Sequence, residues 1–191
     1  LLTASKALKM GVSRVHLLPH NRDGALLEEL FTHDGIGTMI ASSDIENLRE
    51  ANMDDIGGIL QIIGPLEEDG VLAPRGRAVL ERDISHFSVI EHDRVLFGCA
   101  ALFPFNKDIG ELACLAVDPD VQGTGDGERL LKRIEARAKE LGLKKLFVLT
   151  TRTEHWFLKR GFVKASVDDL PEERRCLYNW DRKSMVLIKT L

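Results

Sequence analysis

The chain reads as an α/β domain of about 150 residues, preceded by a shorter segment of a different kind. Three observations carry this. A glycine-rich turn at residues 122–127 leads from an alternating strand pattern straight into the most strongly amphipathic stretch of the sequence. Strand-like and helix-like patterns follow one another over residues 44–191 with short connections, a span large enough for one core. Residues 1–43 hold too few elements to bury a core of their own.

In chain order, residues 6–10 read as the end of a helix, 14–18 as a strand, 25–31 as a helix and 35–40 as a strand punctuated by glycine. Residues 47–51 form a short strand. Asp54 or Asp55 caps a helix with apolar positions Ile56, Ile59, Leu60 and Ile63, which Gly64 and Pro65 are expected to end. Residues 87–91 and 95–103 are β-rich runs separated by His92, Asp93 and Arg94, the pattern of a hairpin. Residues 109–117 alternate, with Glu111, Ala113, Leu115 and Val117 on one face and Leu112, Cys114 and Ala116 on the other. After the glycine turn, Gly127, Leu130, Leu131, Ile134, Ala138 and Leu141 make a buried helical stripe, while Glu128 and Lys132 stand four apart on the wet side. Gly142 stops this helix. Residues 145–150 form a buried strand, 153–159 a short helix closed by Gly161 and Phe162, and 184–189 a final strand.

The turn is built to hold an anion. Gly125 and Gly127 permit positive φ and close backbone approach. The first N–H groups of the following helix face the loop, and the helix dipole favours negative charge there, so a pyrophosphate is the natural guest. The loop lacks the Gly-Lys-Ser/Thr ending of a P-loop and the G-x-G-x-x-G spacing of a dinucleotide fingerprint. Asp126 is expected to turn its charge toward solvent.

The order Gln-x-x-Gly-x-Gly over residues 122–127, after a strand ending Leu115, Ala116, Val117 and with Asp118 and Pro119 between, resembles the acetyl-CoA pyrophosphate loop of the GCN5-related N-acetyltransferases. The resemblance covers residues 44–191. It implies that family's fold, a mixed, mostly antiparallel sheet flanked by helices. It also implies acetyl-CoA as co-substrate, held by Leu115, Val117, Gln122, Gly123, Thr124, Gly125, Gly127 and Glu128. Upstream, Glu29, Leu30, Phe31 and Thr32 followed by Gly35, Ile36, Gly37 and Thr38 resemble the last segment of the amino-acid kinase fold. Residues 1–43 are therefore expected to be the C-terminal remnant of a kinase-like domain, with a linker about Asp44. The chain opens on Leu1 and Leu2, which reads as a piece of a longer two-domain protein.

A kinase-like tail joined to an acetyltransferase domain is the layout of the bacterial-type N-acetylglutamate synthases. Residues 146–152, 155–157, 160–162, 169–171, 178–179 and 182–184 stand in the order and spacing of that subfamily. The resemblance implies acetyl transfer from acetyl-CoA to the α-amine of L-glutamate, the entry step of arginine biosynthesis. The α-amine is protonated at neutral pH, so a base must accept a proton before nitrogen attacks the thioester. Glu111, on the strand before the phosphate loop, is the candidate. A backbone N–H near Cys114 or Leu115 is expected to stabilise charge developing on the acyl oxygen. Where the broader family places a Tyr to protonate the leaving thiolate, this chain has Phe157. Thr150 is the candidate donor, with Thr151 beside it, although a CoA thiol is only modestly basic and can leave unaided.

The acceptor's carboxylates call for arginines, whose fork matches them. Arg75, with Arg77 nearby, and Arg182 are the candidates, and Leu72, Cys114 and Ser184 complete the implied acceptor site. Pro74 departs from the subfamily, which usually has two adjacent arginines here. Glu29 and Gly35 match positions that hold an arginine effector in kinase-like relatives. The full-length protein is expected to bind arginine and to form a homo-oligomer.

The net charge of −4 argues against nucleic acid, which needs a basic face. No apolar run approaches the ~20 residues of a membrane span. Cys99, Cys114 and Cys176 form an odd set with no secretory signal, which points to the cytosol, and Cys99 and Cys114 read as buried small hydrophobes. His16 and His20 have metal-ligand spacing, but Pro19 breaks the helix that would align them, so no metal is expected. Two other functions stay open: an acetyltransferase for a different amine, such as a protein lysine, and a non-catalytic acetyl-CoA sensor.

Overall fold

The structure is a computed structural model that describes residues 1–32, 35–41, 46–92 and 95–191. Asp44 of the expected linker, and Asp93 and Arg94 of the expected hairpin turn, lie outside the described residues. The chain divides into two units, Leu1–Ile45 and Glu46–Leu191.

The first unit contains α1 (Leu2–Lys9), β1 (Arg14–Leu17), α2 (Ala25–Phe31) and β2 (Thr38–Ala41). β1 and β2 pair antiparallel, Arg14 opposite Ala41. The second strand starts at Thr38 rather than residue 35, because the N–H groups of Ile36 and Gly37 bond to the Glu29 carboxylate instead of a neighbouring strand. Only Ala4 and Ala25 are buried among the described residues of this unit, and α2 leaves Leu26, Leu27, Leu30 and Phe31 exposed.

The second unit is a seven-stranded sheet in the order β3-β4-β5-β6-β7-β9-β8. The strands are β3 (Glu46–Glu50), β4 (Phe87–His92), β5 (Val95–Pro104), β6 (Ile109–Val117), β7 (Lys145–Thr150), β8 (Val163–Ala165) and β9 (Met185–Thr190). All neighbours run antiparallel except β6 and β7. The helices are α3 (Ile56–Glu68), α4 (Arg77–Asp83), α5 (Asp126–Glu140), α6 (Glu154–Leu158) and α7 (Glu172–Cys176). Along β5, Cys99 and Ala101 pack with Ile56, Ile59 and Ile63 of α3, whereas Ala100 and Leu102 pack with Leu130, Leu131 and Ile134 of α5. Alternate strand residues face opposite ways, so the two long helices cover opposite faces of the sheet.

Several local expectations are corrected. Of the two expected caps, Asp55 is the residue that precedes α3 and Asp54 is not, and Asn52 caps the short turn ahead of it. The Asn52 side chain accepts from Asp54 N at 2.8 Å, and the Asp55 carboxylate accepts from Asn52 N at 2.8 Å, a reciprocal cap on the turn Met53–Asp55. Gly64 and Pro65 do not end α3. Pro65 costs the bond to the Gln61 carbonyl, but the buried Ile56, Ile59, Ile62 and Ile63 hold the helix to the sheet, and the chain turns instead at Gly70, where φ is +69°. At the end of α5, Leu141 is 58% exposed. Gly142 takes φ +78°, and Leu143 N bonds back to Ala138 O at 2.9 Å, so Leu143 rather than Leu141 completes the buried stripe.

Candidate functional site

β6 and β7 pair over three residues only, Ile109, Gly110 and Glu111 opposite Lys145, Leu146 and Phe147. A cleft of about 240 Å³ opens where that pairing stops, between residues 111–115 and 148–150. Segments 71–75 and 174–184 supply its other walls.

A bulge shapes this edge. Cys99 lies opposite Ala116 and Ala101 opposite Ala113, so β6 carries one extra residue, and Cys114 takes φ +50°. The expected strict alternation is thereby broken. Leu112 packs in the same core as Leu115 and Val117, while Ala113, Cys114 and Ala116 pack on the α3 side. Burial pushes the Cys114 thiol up to about 11, against the opposing pull of the nearby Arg75 charge.

The cleft brings together eight of the residues singled out from sequence: Glu111, Thr150, Leu72, Arg75, Cys114, Leu115, Arg182 and Ser184. Glu111 is 7% exposed and held by a fork from Arg174, with Nε donating to Oε2 at 2.7 Å and Nη2 to Oε1 at 3.1 Å. Sequence reasoning missed Arg174. It stands 63 residues downstream in the run Glu172, Glu173, Arg174 and Arg175, whose charges signal only a solvated helix. Thr150 Oγ1 accepts from Thr153 N at 3.1 Å and lies 2.7 Å from Thr153 Oγ1, so the hydroxyls form a pair that sequence alone did not single out. Phe157 lies in the wall near them.

Arg75 is fixed through its backbone N–H, which donates to Glu67 Oε1 at 2.8 Å, and by its guanidinium over Phe103 at 5.1 Å. Arg182 donates from Nη2 to Val71 O at 2.9 Å. In both, Nε is buried without a hydrogen-bond partner. Arg77 does not join them; it is exposed and pairs with Glu81 one helical turn on.

The glycine loop follows β6. Gln122 Nε2 donates to Val117 O at 3.2 Å, tying the loop to the strand end. Positive φ falls at Gly123 (+93°) and Gly125 (+102°), and a side-chain carbon added at either would meet only open space. Gly127, expected to share that conformation, is instead the second residue of α5. A carbon added there would sit 3.3 Å from Trp156 Cζ2, so this glycine permits close helix packing. Trp156 in turn carries the Arg160 guanidinium over its ring at 3.8 Å. Asp126 does not point to solvent. It is 7% exposed and accepts from Thr124 Oγ1 at 2.9 Å and Arg129 Nη1 at 3.1 Å, because at the first position of α5 it stands among unpaired N–H groups and near a cation. Glu128 pairs with Lys132 at 2.9 Å and Arg160 at 3.4 Å.

In the first unit, Glu29 and Gly35 are adjacent: a carbon added at Gly35 would lie 2.6 Å from Glu29 Oε2. The bond to His16 Nδ1, with those from Ile36 N and Gly37 N, lowers the Glu29 carboxyl to about 2. No group of His, Cys, Asp and Glu side chains able to hold a metal occurs among the described residues. No helix among them is long and apolar enough to cross a membrane.

A glycine loop at a helix N-terminus, beside a cleft between diverging parallel strands, is the arrangement expected of an acyltransferase domain. The profile of the Acetyltransferase (GNAT) family matches residues 57–162, more than half of the chain, and the chain belongs to that family. It is 67% identical over 187 residues to an amino-acid acetyltransferase of Ralstonia nicotianae, covering 97% of this chain and 42% of that protein. It is 54% identical over 189 residues to one from Azotobacter vinelandii, covering 98% and 44%. The solved N-acetylglutamate synthase from Neisseria gonorrhoeae, complexed with coenzyme A and L-arginine, superimposes with a TM-score of 0.88 at 48% identity, covering 100% of this chain and 43% of that one. The same enzyme with coenzyme A and N-acetyl-glutamate gives 0.75 at 49%, covering 100% and 45%. The chain thus spans less than half the length of these relatives.

Proposed function

We propose that residues 44–191 form an N-acetyltransferase domain that moves the acetyl group of acetyl-CoA to the α-amine of L-glutamate, the entry step of arginine biosynthesis. The observation that carries this reading is the convergence of Arg75, Arg174 and Arg182 on one cleft with Glu111. A guanidinium fork matches a carboxylate, and bonds between such charged groups are the strong ones. A lysine-bearing acceptor would meet repulsion in the same place. The cleft is smaller than the ~300 Å³ of drug-sized sites, which suits a free amino acid. The names of the similar proteins support the same reading, since amino-acid acetyltransferases and an N-acetylglutamate synthase bound to N-acetyl-glutamate are among them.

The loop fits a pyrophosphate, with open space at Gly123 and Gly125 and the N-terminus of α5 behind them. Acetyl-CoA supplies the activated acyl group. Leu115, Val117, Gln122, Gly123, Thr124, Gly125, Gly127 and Glu128 would hold it. Glu111 accepts the amine proton directly or through water; the Arg174 fork uses one acceptor direction on each oxygen and leaves the other. The bulge at Cys114 interrupts the ladder where an N–H of Cys114 or Leu115 is wanted for charge developing on the acyl oxygen. Thr150, backed by Thr153, would supply a hydroxyl to the leaving thiolate. Leu72, Arg75, Cys114, Arg182 and Ser184 form the acceptor site.

In a longer protein, residues 1–43 would close a kinase-like domain, and Glu29 with the Gly35 carbonyl would take part in holding arginine as an effector of a homo-oligomer. The three free thiols suit a cytosolic location. Thiol release from acetyl-CoA with glutamate, glutamine and lysine tests the central reading. Glutamate should be strongly preferred. Equal rates with all three would leave only a general acetyltransferase, and no release with any would leave a binding module.

A further inference from the structure

We infer that Arg174 is an exchangeable cation: it covers Glu111 while the acceptor site is empty and moves to a carboxylate of the entering amino acid, freeing Glu111 for the acceptor's ammonium. This rests on the glutamate reading of the cleft and adds the residue that couples acceptor recognition to the base.

The three arginines of the cleft are not equivalent. Arg182 is anchored by Nη2 to the carbonyl oxygens of Gly70 and Val71, at 3.3 and 2.9 Å. Arg75 lies over Phe103. Both line the cleft, and their guanidinium groups are held by protein groups other than carboxylates, which makes them the standing cations for one substrate carboxylate. Arg174 alone spends its fork on a carboxylate of the protein, the one that the chemistry requires. Its side chain is 20% exposed against 9% for Glu111, and its remaining bond, from Nη1 to Leu177 O at 3.3 Å, lies within its own segment and moves with it.

Charge complementarity follows. Glutamate brings two carboxylates and one ammonium; the cleft offers one fixed arginine pair, one arginine engaged by Glu111, and Glu111 itself. Exchange gives every substrate charge an opposite partner, the ammonium on Glu111 and the second carboxylate on Arg174. It replaces one ion pair by two. Without Arg174, Glu111 in the empty cleft would be a nearly buried, unpaired charge. An amine lacking the second carboxylate offers Arg174 nothing in return, so Glu111 stays covered and the amine is turned over slowly even when bound.

The test compares kcat of the full chain for glutamate, for glutamine, which lacks the side-chain carboxylate, and for 4-aminobutanoate, which lacks the α-carboxylate. In the wild type, kcat with one of the two analogues should fall by about tenfold or more relative to glutamate. Arg174→Gln should close that gap to within about threefold while raising the glutamate KM about tenfold. Arg174→Lys, which keeps charge but loses the fork, should retain part of the gap, and it is the variant read if Arg174→Gln does not fold by circular dichroism. An unchanged gap in the variant that folds, a uniform loss of kcat with all three substrates, or equal wild-type kcat values would overturn the exchange and leave Arg174 as a mere support for Glu111. A wild type that fails on glutamate altogether overturns the functional reading itself.

Discussion

Replacing Glu111 by Gln separates stability from chemistry at this site. The carboxylate and its Arg174 partner are 9% and 20% exposed at the side chain, and removing one member of a fully buried pair costs ~3–5 kcal/mol. Here the loss should be smaller, about 1–2 kcal/mol, because the Gln oxygen still accepts one guanidinium bond and Arg174 keeps Leu177 O and some water. A domain with ~5–15 kcal/mol of stability stays folded. The amide cannot accept a proton, so turnover should drop by ~10²-fold or more. At ~1.36 kcal/mol per tenfold, that is about 2.7 kcal/mol in the barrier, and it is not an unfolding effect. Urea melts give the first quantity and thiol release from acetyl-CoA the second, with acetyl-CoA affinity expected to be nearly unchanged. Adding Arg174→Gln to the same chain should recover much of the stability, since no lone charge remains, and none of the turnover. Turnover within about threefold of wild type in the single variant would refute Glu111 as the base.

Gly125→Val should weaken acetyl-CoA at least tenfold by calorimetry, because φ is +102° and Val resists it by ~1–2 kcal/mol although space is open; unchanged affinity would remove the loop from the cofactor site. Arg75→Ala and Arg182→Ala should each raise the glutamate KM about tenfold and leave that of acetyl-CoA nearly as it was. A parallel rise in both would assign these arginines to the cofactor. The Arg49 guanidinium, bonded to both Asp55 oxygens, holds that carboxyl below its usual range. A depressed folded-state pKa stabilises above the unfolded value of ~3.9 and loses that contribution as pH falls through the folded one. Asp55→Asn should therefore lower stability at neutral pH and flatten its decline in acid, and an acid limb identical to that of wild type in urea melts would contradict the pair.

The elements that periodicity encodes were legible in the sequence because they depend on local torsions and on which face is apolar. Residues 130, 131, 134 and 138 mark the buried side of α5, Gly142 ends it through a left-handed turn, and the runs at 87–91, 95–103 and 145–150 lie in strands. The glycine loop was legible in part for the same reason: Gly125 takes the expected positive φ before the helix, whereas Gly127 is helical and Gly123 takes the second left-handed position instead. Where local signals competed, packing decided. α3 runs through Pro65 because four buried isoleucines hold it down, and Asp126 is buried because Thr124 and Arg129 reach it. The bulge at Cys114 comes from the register between β5 and β6, and register is a relation between strands that neither strand states by itself. Arg174 is the plainest case. Its charge is visible in the sequence, but its partner Glu111 lies 63 residues away, and only the fold brings α7 over the end of the β6–β7 pairing. Sequence determines which charges the chain carries and which surfaces must be hidden; tertiary structure decides which charges meet, because that depends on where distant segments come to rest.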